Sequence, residues 1–175
     1  MPWVMDYRHS MSRAFVRESD DAGDELKPMH PPLPPGVTNY ITPAGAKQMQ
    51  AELGEFLETR RSSGEQLSSQ ERRRLDSQIR QLQQRLQTLV ITTPPPNGEG
   101  TVCFGATVRV RDSHGEENTY QIVGIDETDL DRDLISWRSP LAKALLSHRT
   151  GEKVQFDAPS GRQDLEIVEV TYPVV

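Results

Sequence analysis

Residues 42–92 read TPAGAKQMQAELGEFLETRRSSGEQLSSQERRRLDSQIRQLQQRLQTLVIT, and this stretch decides the architecture. Ala46, Met49, Leu53 and Phe56 recur at spacings of three, four and three; Leu75, Ile79, Leu82, Leu86 and Leu89 follow the same rhythm. Alternating threes and fours lay one narrow apolar stripe along each of two helices, as a coiled-coil seam requires. Between them, Ser62-Ser63-Gly64 to Ser68-Ser69 reads as a chain reversal, so the arms are antiparallel neighbours. Thr42-Pro43 supplies a hydroxyl N-cap with proline at the first helical position. Ser68 with Glu71 has the spacing of a capping box. At about 1.5 Å per residue, arms of roughly 20 residues make a finger about 30 Å long.

Charge separates this finger from the rest of the chain. The 175 residues carry a formal net charge of −6. Around the reversal, however, Arg60, Arg61, Arg72, Arg73 and Arg74 outnumber Glu65 and Glu71. The hydrophobic share of 34% is low for a fully globular chain and points to exposed or unstructured segments. Cys103 is the single cysteine, which excludes a disulfide framework and a cysteine zinc site and suits a reducing, cytoplasmic setting. No apolar run has the length to span a bilayer, so no membrane partner is expected.

Residues 1–39, rich in proline and charge without sustained periodicity, read as a disordered leader in which Trp3 and Phe15 are candidate anchors. Met11 is an equally good start for the chain. Residues 40–93 form the hairpin, and Pro94-Pro95-Pro96-Asn97-Gly98 opens a stiff 94–99 linker. From 100 to 175 the pattern changes to short β-rich runs. Val108 and Val110 alternate with Arg109 and Arg111 in a first strand; Ser113-His114-Gly115 turns, and Thr119–Val123 pairs back. Further strands are expected at Leu134–Trp137, Lys153–Phe156 and Leu165–Thr171. Ser139-Pro140 starts a short helix over Leu141–Ser147. The fold class is α+β: an N-terminal antiparallel helical hairpin followed by a small β-rich domain with an antiparallel sheet and one short helix.

No catalytic constellation is visible. His9, His30, His114 and His148 lie far apart without metal-ligand spacing, and no nucleotide-binding or hydrolase motif occurs. Neither metal nor cofactor is expected. Cys103 reads as a small structural hydrophobe. Asp126, Glu127, Asp129, Asp131 and Asp133 lack the glycine and closing glutamate of a calcium loop, and read as a solvated loop between strands.

The order of parts and three ordered motifs resemble the Gre family of bacterial transcript-cleavage factors. The motifs are Gly100-Thr101-Val102-Cys103-Phe104-Gly105-Ala106-Thr107-Val108, then Tyr120–Gly124 with Asp126-Glu127, then Leu134-Ile135-Ser136 with Ser139–Leu146. Thr42-Pro43-Ala44-Gly45 is similar to the start of the family's finger. The resemblance spans 40–173 and implies an FKBP-like C-terminal domain behind a coiled coil. It also implies docking on the rim of the secondary channel of RNA polymerase. In the family the finger's acidic tip, of the form Asp-x-x-Glu-Asn, then helps hold a second Mg²⁺ for RNA cleavage, chemistry that suits hard carboxylate ligands.

That acidic tip is missing from this chain, and the finger looks shorter by about two heptads per arm. The resemblance assigns Arg138, Ser139, Pro140, Leu141, Ala142 and Leu145 to the polymerase rim; at position 138 relatives tend to carry Asp or Asn. The resulting expectation is a monomeric, non-enzymatic regulator of bacterial RNA polymerase whose tip presents Arg60, Arg61, Glu65, Glu71, Arg72 and Arg73. Two alternatives stay open. One is weak cleavage stimulation through Glu65 or Glu71. The other is a Gre-type module for a different partner, with tip arginines meeting phosphate, including nucleic acid within a transcription complex. An isomerase activity does not follow from an FKBP-like fold.

Overall fold

The computed structural model describes residues 33, 36–63, 65–93, 100–158 and 161–173. Most of the expected leader and all of the 94–99 linker lie outside the described residues. In chain order the elements are β1 (Asn39–Ile41), α1 (Pro43–Ser63), α2 (Ser69–Thr88), β2 (Leu89–Ile91), β3 (Thr107–Asp112), β4 (Glu117–Val123), β5 (Leu134–Ser136), α3 (Pro140–Leu145), β6 (Lys153–Ala158) and β7 (Gly161–Thr171). Two one-turn 3-10 segments, Ile125–Glu127 and Leu130–Arg132, lie between β4 and β5.

Helices α1 and α2 are the expected hairpin. Ala46, Met49, Leu75, Ile79 and Leu82 are buried, with Leu53, Phe56 and Leu86 packed beside them. The capping box at the start of α2 is complete: Ser68 Oγ accepts from Glu71 N at 3.3 Å, and Ser68 N donates to the Glu71 carboxylate at 2.8 Å. Thr42 caps α1 by accepting from Gly45 N at 3.0 Å.

The second arm ends earlier than its apolar rhythm suggests. Leu89-Val90-Ile91 leaves the helix and forms β2, which pairs in parallel with β1, Asn39 opposite Leu89 and Ile41 opposite Ile91. β-Branched residues fit an extended ladder better than a helix end, and Ile41 O accepts from Thr92 N to close the pair. Asn39, assigned to the leader by sequence, therefore belongs to the base of the hairpin.

The C-terminal part is a five-stranded sheet in the order β5-β4-β3-β7-β6. Val108, Val110, Ile122, Ile167, Ala142 and Leu145 meet in its core with none above 1% exposure. Strands β3, β4, β6 and β7 are antiparallel as expected, but β4 and β5 are parallel, Gln121 opposite Leu134 and Val123 opposite Ser136. The 3-10 turns carry the chain back between those two strands. Ser139 caps α3 by accepting from Ala142 N at 3.1 Å, with Pro140 at the first position. Tyr172, after β7, donates its hydroxyl to Thr101 O at 2.6 Å and accepts from Cys103 N at 3.1 Å. Burial pushes that phenol up to about 12, so it stays a neutral donor at physiological pH. It pins the opening of this domain to its last strand. Cys103 is half-buried and free.

Candidate functional site

The two parts are joined by a built junction. The Asp126 side chain is 1% exposed and forms a two-pronged ion pair with Arg85 of α2, at 2.8 Å to Nε and 2.5 Å to Nη2. Asn39 of β1 donates to the same carboxylate at 3.0 Å. Glu127, one residue on, accepts from Thr42 N at 2.9 Å, from the Thr42 hydroxyl and from Gly124 N at 2.9 Å. Buried charge is tolerable only when paired and hydrogen-bonded in this way. The expectation of a solvated acidic loop is thus wrong for Asp126 and Glu127, because their partners lie 41 to 87 residues away in sequence.

Two glycines make the approach possible. A Cβ at Gly124 would sit 2.2 Å from Tyr40 O, and one at Gly45 would sit 2.1 Å from Glu127 Oε1. Beside these polar contacts, Tyr40 of β1 packs edge-on against Trp137 with centroids 5.5 Å apart, and lies 6.1 Å from Phe104. A cleft of about 270 Å³ remains between α1 and the sheet, lined by Gln48, Glu52, Gln121, Asp129 and Arg132 among others.

At the far end of the hairpin Glu58, Glu71 and Asp76 are already engaged by neighbours. Glu71 is committed to the capping box. Its carboxyl is held below the usual range by the Ser68 hydroxyl and then the Ser68 N–H. Glu58 pairs with Arg61 at 3.0 Å. Asp76 Oδ1 lies 3.0 Å from Arg60 Nε, a charge contact whose geometry falls short of a hydrogen bond. Glu65, Arg72 and Arg73 are exposed. Among the described residues no group of three His, Cys, Asp or Glu side chains could hold a metal ion.

The turn before α3 places Arg138, Ser139 and Leu141 half-buried and Pro140 exposed. Ala142 and Leu145 are fully buried in the core, which corrects their assignment to a partner surface. Their spacing fits the inward face of α3, whereas the outward face carries Pro140 and Lys143. What sequence reasoning missed altogether is the junction. Arg85 sat among the polar residues of an amphipathic helix, and nothing local distinguished it.

A helical hairpin joined through buried polar contacts to a small β domain defines the class of protein. The family description "Transcription elongation factor, GreA/GreB, C-term" matches residues 96–172. Transcription elongation factor GreB of Neisseria meningitidis is 37% identical over 153 residues, covering 77% of this chain and 94% of that protein. GreB of Pseudomonas aeruginosa is 35% identical over 161 residues, covering 82% and 95%. The crystal structure of GreA factor homolog 1 of Thermus thermophilus matches with 25% identity and a TM-score of 0.39, covering 77% of this chain and 99% of that one. The chain belongs to the GreA/GreB family of transcription elongation factors. The Neisseria alignment takes up only about 135 of the 175 positions here, so that relative has about 18 residues without counterpart.

Proposed function

We propose that this chain is a Gre-type regulator that docks on bacterial RNA polymerase at the secondary channel and does not itself stimulate transcript cleavage. The platform is the Arg138-Ser139-Pro140 turn at the start of α3, with half-buried Leu141 beside it; the short hairpin stands at or just inside the channel. The observation that carries the reading is at the tip. Glu71 is spent on the capping box, Glu58 on Arg61 and Asp76 on Arg60, so Glu65 has no second unengaged carboxylate beside it among the described tip residues 58–76. Two-metal hydrolysis needs convergent carboxylates to hold the second Mg²⁺, and exposed Arg72 and Arg73 oppose a dication. Occupying the channel entrance would exclude a cleavage-competent Gre protein, because one site cannot hold two fingers.

Competition on core polymerase tests this directly. The protein should displace a cleavage-competent Gre factor, lose binding on Pro140→Glu, and leave backtracked complexes uncut. Simultaneous occupancy of one polymerase would sink the exclusion mechanism. Cleavage that vanishes when Glu65 and Glu71 become alanine would show that the tip is catalytic support after all. A second reading, in which the tip meets phosphate, is favoured by the exposure of Arg72 and Arg73 with no ion pair among the described residues. It requires nucleic-acid binding that weakens steeply with salt.

A further inference from the structure

The two outer strands of the sheet, β5 and β6, finish their edges differently. The edge of β5 is taken up by turns: Asp129 and Leu134 exchange backbone bonds of 3.0 and 2.8 Å, and Ser136 O accepts from Ser139 N at 2.9 Å. β6 pairs with β7 along one side, and among the described residues no strand meets its other side. Its pairing has no bulge and its sequence KVQFDA no proline, two devices that commonly close such an edge.

The hydrogen-bond phase shows which residues face the open side. Ile167 N donates to Glu152 O at 2.9 Å, just before β6 begins. Bonded residues alternate along an antiparallel ladder, so the backbone groups of Val154 and Phe156 point to β7. Those of Lys153, Gln155 and Asp157 point away from it. The same three residues are exposed, whereas Val154 is buried and Phe156 half-buried.

This edge is complementary to itself. When a second copy runs antiparallel with Gln155 opposite Gln155, Lys153 of each chain lies opposite Asp157 of the other, and Val154 lies opposite Phe156. Within one chain, Asp157 already has Arg162 of β7 across from it, and Lys153 has Glu166. Across the joined sheets the row becomes Arg162 and Asp157 of one copy, then Lys153 and Glu166 of the second, changing sign at every step. Opposite charges directly across a ladder stabilise it and like charges destabilise it. A slip of one residue would set the exposed face of one copy against the buried face of the other. A slip of two leaves lysine or aspartate facing Gln155, and a slip of four sets like charges together. Charges that serve only to keep an edge apart have no need of such a register.

We propose that this chain forms a two-fold dimer through the β6 edge, Lys153 and Asp157 of one copy pairing with Asp157 and Lys153 of the other. The inference uses none of the docking residues and stands independently of that reading. The monomer expected from the sequence rests on the hairpin seam, which is satisfied within one chain and is a different surface. A contact one strand long belongs with small, transient interfaces, so the dimer is weak and concentration-dependent.

Sedimentation equilibrium of the full chain over a range of concentrations tests it. The wild type should pass from monomer to dimer as concentration rises. Lys153→Asp sets carboxylate against carboxylate at both ends of the contact, and Asp157→Lys sets ammonium against ammonium. Each alone should raise the Kd of self-association about tenfold. An equimolar mixture of the two variants restores both opposite-charge pairs and should associate about as well as the wild type. Gln155→Pro removes the outward N–H at the dyad while sparing the bonds to β7. It should remain monomeric with an unchanged far-ultraviolet circular dichroism spectrum. A wild type that stays monomeric throughout, or a dimer unaffected by the two charge variants, overturns the proposal. So does a mixture that associates no better than either variant alone, a result that holds even if the proline disturbs the fold.

Discussion

The two ends of the hairpin are made of the same residue types and behave as opposites. At the base, Arg85 and Asp126 pair with side-chain exposures of 14% and 1%, and Asn39, Thr42 and Glu127 complete the contact. At the tip, Arg61 and Glu58 pair at 80% and 59% exposure. An ion pair in water contributes little because solvent screens it and two long side chains must be ordered. A pair removed from water holds only if its geometry is complete, and breaking it leaves an unpaired charge inside. The base thus fixes where the finger points relative to the β domain, and the tip depends on its own local cap. Under the proposed docking role, rigidity is concentrated where a small angular error would be multiplied by the finger's length.

The sharpest way to break the comparison is Asp126→Ala. It leaves Arg85 and the Asn39 amide without their carboxylate, and the expected loss is about 3–5 kcal/mol. Urea unfolding followed by far-ultraviolet circular dichroism checks it. A loss under about 1 kcal/mol would mean that the base is no stronger than a surface pair. The aromatic contact of Tyr40 with Trp137 remains in the variant, so weakening without complete unfolding is expected.

Next in size are the two glycines, which separate backbone from side-chain crowding. At Gly124 the obstacle to a methyl group is the Tyr40 carbonyl oxygen, 2.2 Å away, and a backbone atom cannot swing aside. Gly124→Ala is expected to cost about 1–3 kcal/mol. At Gly45 the obstacle is the Glu127 carboxylate, which can rotate out only by releasing Thr42. Gly45→Ala should therefore cost less than Gly124→Ala and should expose the α1 N-cap. Amide hydrogen exchange at Thr42 and Gly45 reads this difference. Equal effects at both positions would show that the clearance is not what keeps these residues as glycine.

How far the sequence could see follows the same division. Everything held by near neighbours was legible: the apolar stripes, the Ser68-Glu71 box, the Thr42 and Ser139 caps, the alternation of Val108 and Val110. Long-range pairs were not. Asp126 and Glu127 looked like loop carboxylates because nothing within several residues of them is basic, and Arg85 looked like any arginine on a polar helix face. Leu89 continued the heptad rhythm into what is a strand, since periodicity alone does not show that β1 stands alongside to pair with it. The motifs that carried the Gre resemblance included the Asp126-Glu127 pair, but a motif indicates membership without stating what the residues touch.

A smaller effect tests the tip. Ser68→Ala removes the hydroxyl that accepts from Glu71 N and should cost about 1 kcal/mol, confined to the start of α2. Amide exchange should rise in residues 69–72 and stay unchanged at the base. Spread of the effect to Thr42 or Asn39 would show that tip and base are one cooperative unit and would erase the distinction drawn above.

The smallest expected effect is the tip's response to pH. Glu71 is held below the ordinary carboxylate range first by the Ser68 hydroxyl and then by the Ser68 N–H. A carboxyl whose folded pKa is depressed stabilises the fold above its unfolded pKa, and that contribution disappears as pH falls through the folded pKa. The α2 N-terminus should therefore begin to fray as pH falls below the ordinary glutamate range, with the carboxylate half of the cap weakened once Glu71 is protonated while the Ser68 hydroxyl still accepts from Glu71 N. Glu71→Gln keeps the reach to Ser68 N while removing the titration, so its helix start should be insensitive to pH across that window. Carboxyl-carbon NMR of Glu71 with amide shifts at residues 69–72 follows both events together. Fraying of Glu71→Gln at the same pH as the wild type would assign the acid response to some other carboxylate.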